Sequence, residues 1–305
     1  MNALSARIEL KAIASDIAQL IKLRLTFSVT LSCSLTYLIG SKLLIARKEI
    51  PGIDWNSWLL LTIGGFLITS AASCLNEVIE VKTDKLMNRT KNRPLPAGRM
   101  TTGQGLVIGL IMAVAGMHIL NSLGMVIGLL SFSSIILYAF IYTPLKLRTR
   151  LAVLVGAIPG ALPPLIGYLA AIRQSPVLQN QDLILAFIIF MIQFIWQFPH
   201  FWAIAWVADE DYTKAGFHLL PTRKKDSTSA TIILGFTVGL FCVGMLPVIF
   251  GFLGFYPMIV TNILGLIFIW FAIKLVLNLN SASAKKMMFC SFFYLPLFQL
   301  MLLLA

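Results

Sequence analysis

Three oxygen-bearing side chains, Asn76, Glu80 and Asp84, recur at four-residue intervals near the end of an apolar stretch. If the helix continues past residue 80, they stand on one face, each about 6 Å above the last. Such a row suits a hard cation like Mg²⁺, which keeps some of its waters and shares phosphate oxygens with a substrate. The same stretch supplies partners for that phosphate. Arg89, Lys91 and Arg93 follow before Pro94 and Pro96 end any helix, and guanidinium groups pair well with phosphate oxygens. The bland alternative is a solvated loop with capping acids. Asn and Glu near the end of an apolar helix are costly enough to need a reason.

A second acidic cluster, Asp209, Glu210 and Asp211, follows Trp196-Gln-Phe-Pro199-His200-Phe-Trp202. On an unbroken helix His200 and Asp211 lie only about 20° apart, whereas Asp209 points nearly opposite. Asp211 is therefore the expected inward carboxylate, with Lys214 placed for phosphate and Gly216 for a chain reversal. His200 sits about 16 Å from Asp211 along that helix, at membrane depth. An intramembrane histidine is a functional candidate, and a hydrogen bond to a neighbouring helix explains it equally well. Trp196, Trp202 and Trp206 read as packing or interfacial anchors. A third segment, Tyr142-Thr-Pro-Leu-Lys146-Leu-Arg148-Thr-Arg150, offers another basic clamp. The three prolines and two glycines of Gly156–Pro164 then suggest a broken helix, tolerated where it lines a cavity.

The elements that must hold these groups are membrane helices. The chain of 305 residues is 58% hydrophobic and only 12% charged, against roughly 25% charged in soluble domains. About 20 apolar residues cross a bilayer core, and nine such spans are expected: 25–45, 57–79, 104–121, 124–142, 151–171, 183–207, 229–251, 255–277 and 288–305. The formal charge of +12 resides in short loops, a topology and headgroup pattern rather than a nucleic-acid surface. With the N-terminus cytoplasmic and the C-terminus external, 20 of the 24 Lys and Arg fall inside. Lys42, Arg47, Lys48 and Arg173 remain outside. Both acidic clusters then share the cytoplasmic face. Residues 1–24, with Arg7, Lys11, Lys22 and Arg24, read as an interfacial N-terminal segment, and residues 25–305 as a single membrane domain. Cys33, Cys74, Cys242 and Cys290 lack metal-ligand spacing, and no disulfide framework is expected.

These residues together resemble the intramembrane aromatic prenyltransferase (UbiA-type) superfamily and, within it, the protoheme IX farnesyltransferase family. The resemblance rests on Asn76, Glu80 and Asp84, then Met87-x-Arg89-Thr90-x-x-Arg93-Pro94-Leu95 and Tyr142-Thr143-Pro144-Leu145-Lys146. It continues through Pro199-His200-Phe201-Trp202-Ala203 and Asp211-Tyr212-x-x-Ala215-Gly216 to Leu219-Leu220-Pro221. Glu80 replaces the commoner Asp, and Asp211 stands where the superfamily has two Asp four residues apart. The resemblance implies an all-α, nine-helix enzyme of the bacterial inner membrane. It implies Mg²⁺ held by Asn76, Glu80, Asp84 and Asp211, which serve as both metal ligands and catalytic residues. Arg89, Arg93, Lys146 and Lys214 would bind the diphosphate of farnesyl diphosphate, and His200 would contact heme B at its iron or a propionate. Implied partners are the bilayer and heme A synthase or terminal-oxidase assembly. A quinone-precursor prenyltransferase (4-hydroxybenzoate) and a membrane transporter are the rival readings. The Pro-His-Phe-Trp stretch disfavours the first, and the one-sided acids the second.

Overall fold

In the computed structural model, the chain is described over residues 3–149 and 151–305, with side chains from Leu10 onward. Met1, Asn2, the Arg7 side chain and Arg150 of the basic 142–150 stretch lie outside the described residues. Polar caps decide where the helices begin. Asp54 accepts the Ser57 N–H at 3.1 Å, Asp226 that of Ser229 at 2.7 Å and Asn280 that of Ser283 at 2.8 Å. Thr101 and Gln104 form a reciprocal capping box, satisfying N–H groups that a helix start would otherwise leave orphaned.

The elements are α1 (Ala3–Leu20), α2 (Leu23–Ala46), α3 (Trp55–Asp84), α4 (Thr102–Ser122), α5 (Met125–Leu145) and α6 (Ala152–Ile172). They continue as α7 (Asn180–Val207), the short α8 (Asp209–Lys214), α9 (Ser227–Ile249), α10 (Phe255–Asn278) and α11 (Ser281–Leu304). Among the described residues, nine helices are long and apolar enough to cross a membrane, and no strand occurs. The expected count of nine therefore holds. Six spans begin earlier than apolar content suggests, and four of them start at the polar caps just described. The last begins at Ser281 rather than 288, with Lys285 and Lys286 on α11 itself.

Successive spans pack side by side: α2 on α3, α3 on α4, α4 on α5, α5 on α6 and α6 on α7. The second half packs α9 on α7 and α10, and α10 on α11. Contacts of α11 with both α7 and α2 close the bundle. Small residues allow the central approach of α2 to α6. A methyl group at Gly167 would overlap the Cys33 carbonyl and the Thr36 hydroxyl, and one at Gly40 would meet Ala171. This is how membrane helices pack closely when lipid gives no hydrophobic drive for association. Outward faces stay apolar, as at Ile111, Val114, Leu266 and Trp270.

Two expectations are corrected. The prolines do not break α6, which runs unbroken through Pro159, Pro163 and Pro164. Each withholds one donor from the carbonyl four residues earlier. The helix from His200 does not continue to Asp211: α7 ends at Val207 and α8 starts at Asp209. His200 and Asp211 therefore do not share a helical face.

At the end of the bundle opposite both acidic clusters, the buried Asp182 receives Arg47 at 2.7 Å and the Gln179 N–H at 2.9 Å. Arg47→Ala strands a buried carboxylate and should cost about 3–5 kcal/mol of stability. Unfolding in detergent should show this loss, and the paired Arg47→Met/Asp182→Leu variant should recover most of it.

Candidate active site

The row on α3 forms because the helix continues to Asp84, and Asn76, Glu80 and Asp84 all line one cavity of about 940 Å³. That volume is near the upper end for small-molecule sites. All three side chains are buried, and each meets a base from a different segment. Lys22, at the α1–α2 corner, donates to Asn76 Oδ1. Lys146, just beyond α5, pairs with Glu80 Oε1. Arg93, from the loop after α3, binds Asp84 Oδ2 at 2.8 Å, and its Nε lies 3.8 Å from the buried Glu77. The Asn76 amide also donates to Glu80 Oε2 at 3.0 Å and to Thr143 Oγ1 at 2.9 Å. Orientation along the row is thereby set.

Lys22 adopts left-handed backbone geometry, φ 50° and ψ 54°, a conformation costing on the order of 1 kcal/mol for a side-chain-bearing residue. The turn aims its ammonium back under α3. Burial, joined by the Arg93 guanidinium and partly opposed by Glu80, pushes the Lys22 ammonium down to about 8. Sequence reading assigned Lys22 to topology alone; nothing in its spacing connects it to residue 76. Thr143 was likewise read only as part of a motif. It reaches Asn76 because the end of α5 is π-helical over Ile136–Tyr142, a local widening frequent at functional sites.

Arg89 is steered from outside. Its backbone N–H donates to Asp211 Oδ2 at 3.1 Å, and its guanidinium donates to the Tyr212 hydroxyl at 2.8 Å. Asp211 also faces Lys214 at 3.6 Å. Partial burial would raise the Asp211 carboxyl, but the N–H groups of Asn88 and Arg89 outweigh it and hold the group below its usual range. Of the residues singled out in the sequence, Asn76, Glu80, Asp84, Arg89, Arg93, Lys146 and His200 line the cavity, whereas Asp211 and Lys214 do not. Asp211 instead tethers the Arg89 loop.

The cavity is charged at this end and uncharged beyond it, where Gln193, Gln197 and Gln299 join mainly apolar walls. Gly156, Pro159, Gly160, Pro163 and Pro164 of α6 form one wall, and Trp196, His200 and Phe201 of α7 another. The expectation that this span lines a chamber therefore holds. No three of His, Cys, Asp and Glu converge as a metal cluster among the described residues. Lysine and arginine cations sit against the carboxylates instead. The donors are nevertheless hard oxygens in a row, and Glu80 Oε1 is ion-paired without completing a hydrogen bond. That donor set fits Mg²⁺ sharing a phosphate.

Residues 34–295 match the UbiA prenyltransferase family. The chain belongs to that family. Among curated relatives, the protoheme IX farnesyltransferase of Cytophaga hutchinsonii is 40% identical over 92% of this chain and 94% of that protein. That of Flavobacterium psychrophilum is 39% identical over 100% and 98% of the two chains. A solved digeranylgeranylglyceryl phosphate synthase shares the fold, with a TM-score of 0.75 at 16% identity over 95% of this chain and 97% of that one. A UbiA homologue from Archaeoglobus fulgidus, bound to GPP and Mg²⁺, has a TM-score of 0.61 at 11% identity over 95% and 100%.

Within this UbiA fold, Thr143→Val removes an acceptor that orients Asn76. Loss of one such hydrogen bond, worth about 1.4 kcal/mol, corresponds to a roughly tenfold fall in prenyl transfer. Steady-state kinetics on folded protein checks this.

Proposed function

We propose that this UbiA-family protein transfers the farnesyl group of farnesyl diphosphate to a vinyl group of protoheme IX, adding water to give heme O. The carrying observation is the α3 row, where Asn76, Glu80 and Asp84 each face a base at the charged end of a chamber whose deeper walls are uncharged. Relatives named for this reaction, matched over nearly the whole chain, support the acceptor and donor. A bound GPP and Mg²⁺ in a structural neighbour supports the metal.

Asn76, Glu80 and Asp84 would hold Mg²⁺, which when bound supplies positive charge against the diphosphate. The chain's own contribution is exchange of partners. Lys22, Lys146 and Arg93, now resting on the row, turn to the diphosphate oxygens as these arrive, and Arg89 is held ready by Asp211 and Tyr212. Lys214 lies further out and steadies Asp211. Preorganised cations of this kind stabilise the leaving group as its charge develops. The C–O bond to diphosphate breaks, and the allylic cation forms in the apolar chamber. The terminal vinyl carbon of the porphyrin attacks it, and water captures the resulting cation beside the ring, losing a proton. The walls from α3, α6 and α7 exclude water from the first cation.

By the charge asymmetry of its loops, the acidic and basic end faces the cytoplasm of a bacterial inner membrane. Purified protein given heme B, farnesyl diphosphate and Mg²⁺ should yield a porphyrin heavier by one farnesyl and one hydroxyl group, and chelation should abolish it. Asp84→Asn should lower turnover by about 10²-fold or more. Prenylation of an added phenolic acid instead of heme would overturn the acceptor and retain the site.

A further inference from the structure

His200 is held by a relay whose protons have a single consistent arrangement. The Ser291 hydroxyl lies 2.6 Å from the Met288 carbonyl oxygen, to which it donates. A carbonyl has no proton to give, and a serine hydroxyl has only one. That proton is therefore spent on Met288. The contact between His200 Nδ1 and Ser291 Oγ, at 2.7 Å, must then carry its proton on the imidazole. Nδ1–H donates to Oγ, and Oγ–H donates to the carbonyl. The neutral ring so fixed has a bare lone pair on Nε2.

Nothing among the described residues uses that lone pair. Among the described residues Nε2 has no hydrogen-bond partner. It is also absent from the sealed, unpartnered atoms of the core, while His200 itself lines the cavity. The ring cannot easily swing elsewhere. Trp196 stacks on it with centroids 4.3 Å apart at 17°, and Phe292 abuts it edge-on at 5.0 Å. The Trp196 indole N–H is itself tied to the Ser291 carbonyl at 3.0 Å, so α7 and α11 grip the imidazole together. Seven residues from the end of α7, the ring lies about 10 Å inside the bundle.

We propose that His200 Nε2 is the axial ligand of the heme iron of the acceptor substrate, and that Ser291 is its positioning residue. This rests on the heme reading above and decides between its two heme contacts. A propionate requires a donor, and the relay leaves Nε2 only an acceptor; iron requires a lone pair. A hydrogen bond from the other ring nitrogen is the usual support for a metal-bound histidine. Ligation would fix the porphyrin's depth in the cavity. Axial donation also tunes a heme electronically, and added electron density favours attack by the vinyl group on a cation.

The test is resonance Raman and absorption spectroscopy of purified full-length protein, loaded with ferrous heme B and without prenyl donor. The wild type should show an iron–histidine stretch. His200→Ala should lose that band and regain an iron–imidazole band on adding imidazole, with turnover lost and partly restored in parallel. Ser291→Ala, which keeps the ligand but removes its support, should move the stretch to lower frequency and slow turnover several-fold. Heme binding and heme O formation with no histidine band, or a band that survives in His200→Ala, would overturn the ligand and leave the function standing. No heme binding and no porphyrin product would overturn both. Should His200→Ala fail to fold, an unshifted stretch in Ser291→Ala would overturn the positioning relay on its own.

Discussion

Charge compensation inside an apolar bundle is the constraint on which this architecture depends. Glu77, Glu80 and Asp84 lie on one helix with little or no exposure, where an isolated carboxylate is expensive. Arg93 from the loop after α3 pairs with Glu77 and Asp84, and Lys146 from the segment after α5 pairs with Glu80. Lys22 at the α1–α2 corner reaches the same row through Asn76 Oδ1. Pairing therefore fixes more than charge. It brings the N-terminal corner, the 85–101 loop and the end of α5 onto one helical face, and so assembles the polar mouth of the cavity.

The same arrangement is poised for an anion. Glu80 and Asp84 are each paired with a base that a diphosphate would also attract, so in the proposed complex binding would substitute one set of ion pairs for another. Asp211 and Tyr212 belong to this economy from outside the cavity, holding Arg89 by its backbone and its side chain. Deeper in, the prolines and glycines of α6 and the aromatic groups of α7 supply a wall without charge. In the proposed reaction, the carbocation generated at the mouth would enter this uncharged compartment. In the proposed heme complex, the second substrate would meet there a histidine whose tautomer is set by α11.

Much of this was legible in the chain's residues. Nine apolar stretches gave nine spans because bilayer thickness sets helix length, and four-residue spacing placed Asn76, Glu80 and Asp84 together because α3 continues to Asp84. Local periodicity fails where geometry is interrupted. The wheel joining His200 to Asp211 assumed one helix, and the break after Val207 sends Asp211 to the Arg89 loop. Lys22 and Thr143 carry no signal of their own, since each reaches Asn76 through a tertiary approach across 54 and 67 residues. Ser291 was invisible for the same reason: its contact with His200 spans 91 residues.

The central claim, that the α3 row binds metal and diphosphate together, is tested most directly by electron–nuclear double resonance with Mn²⁺ in place of Mg²⁺. The probe is an uncleavable farnesyl thiodiphosphate, added to wild type and to Asp84→Asn. The account predicts phosphorus hyperfine coupling to the bound Mn²⁺ in the wild type and its loss in the variant. Tight Mn²⁺ binding without phosphorus coupling, or coupling unchanged in Asp84→Asn, would contradict it.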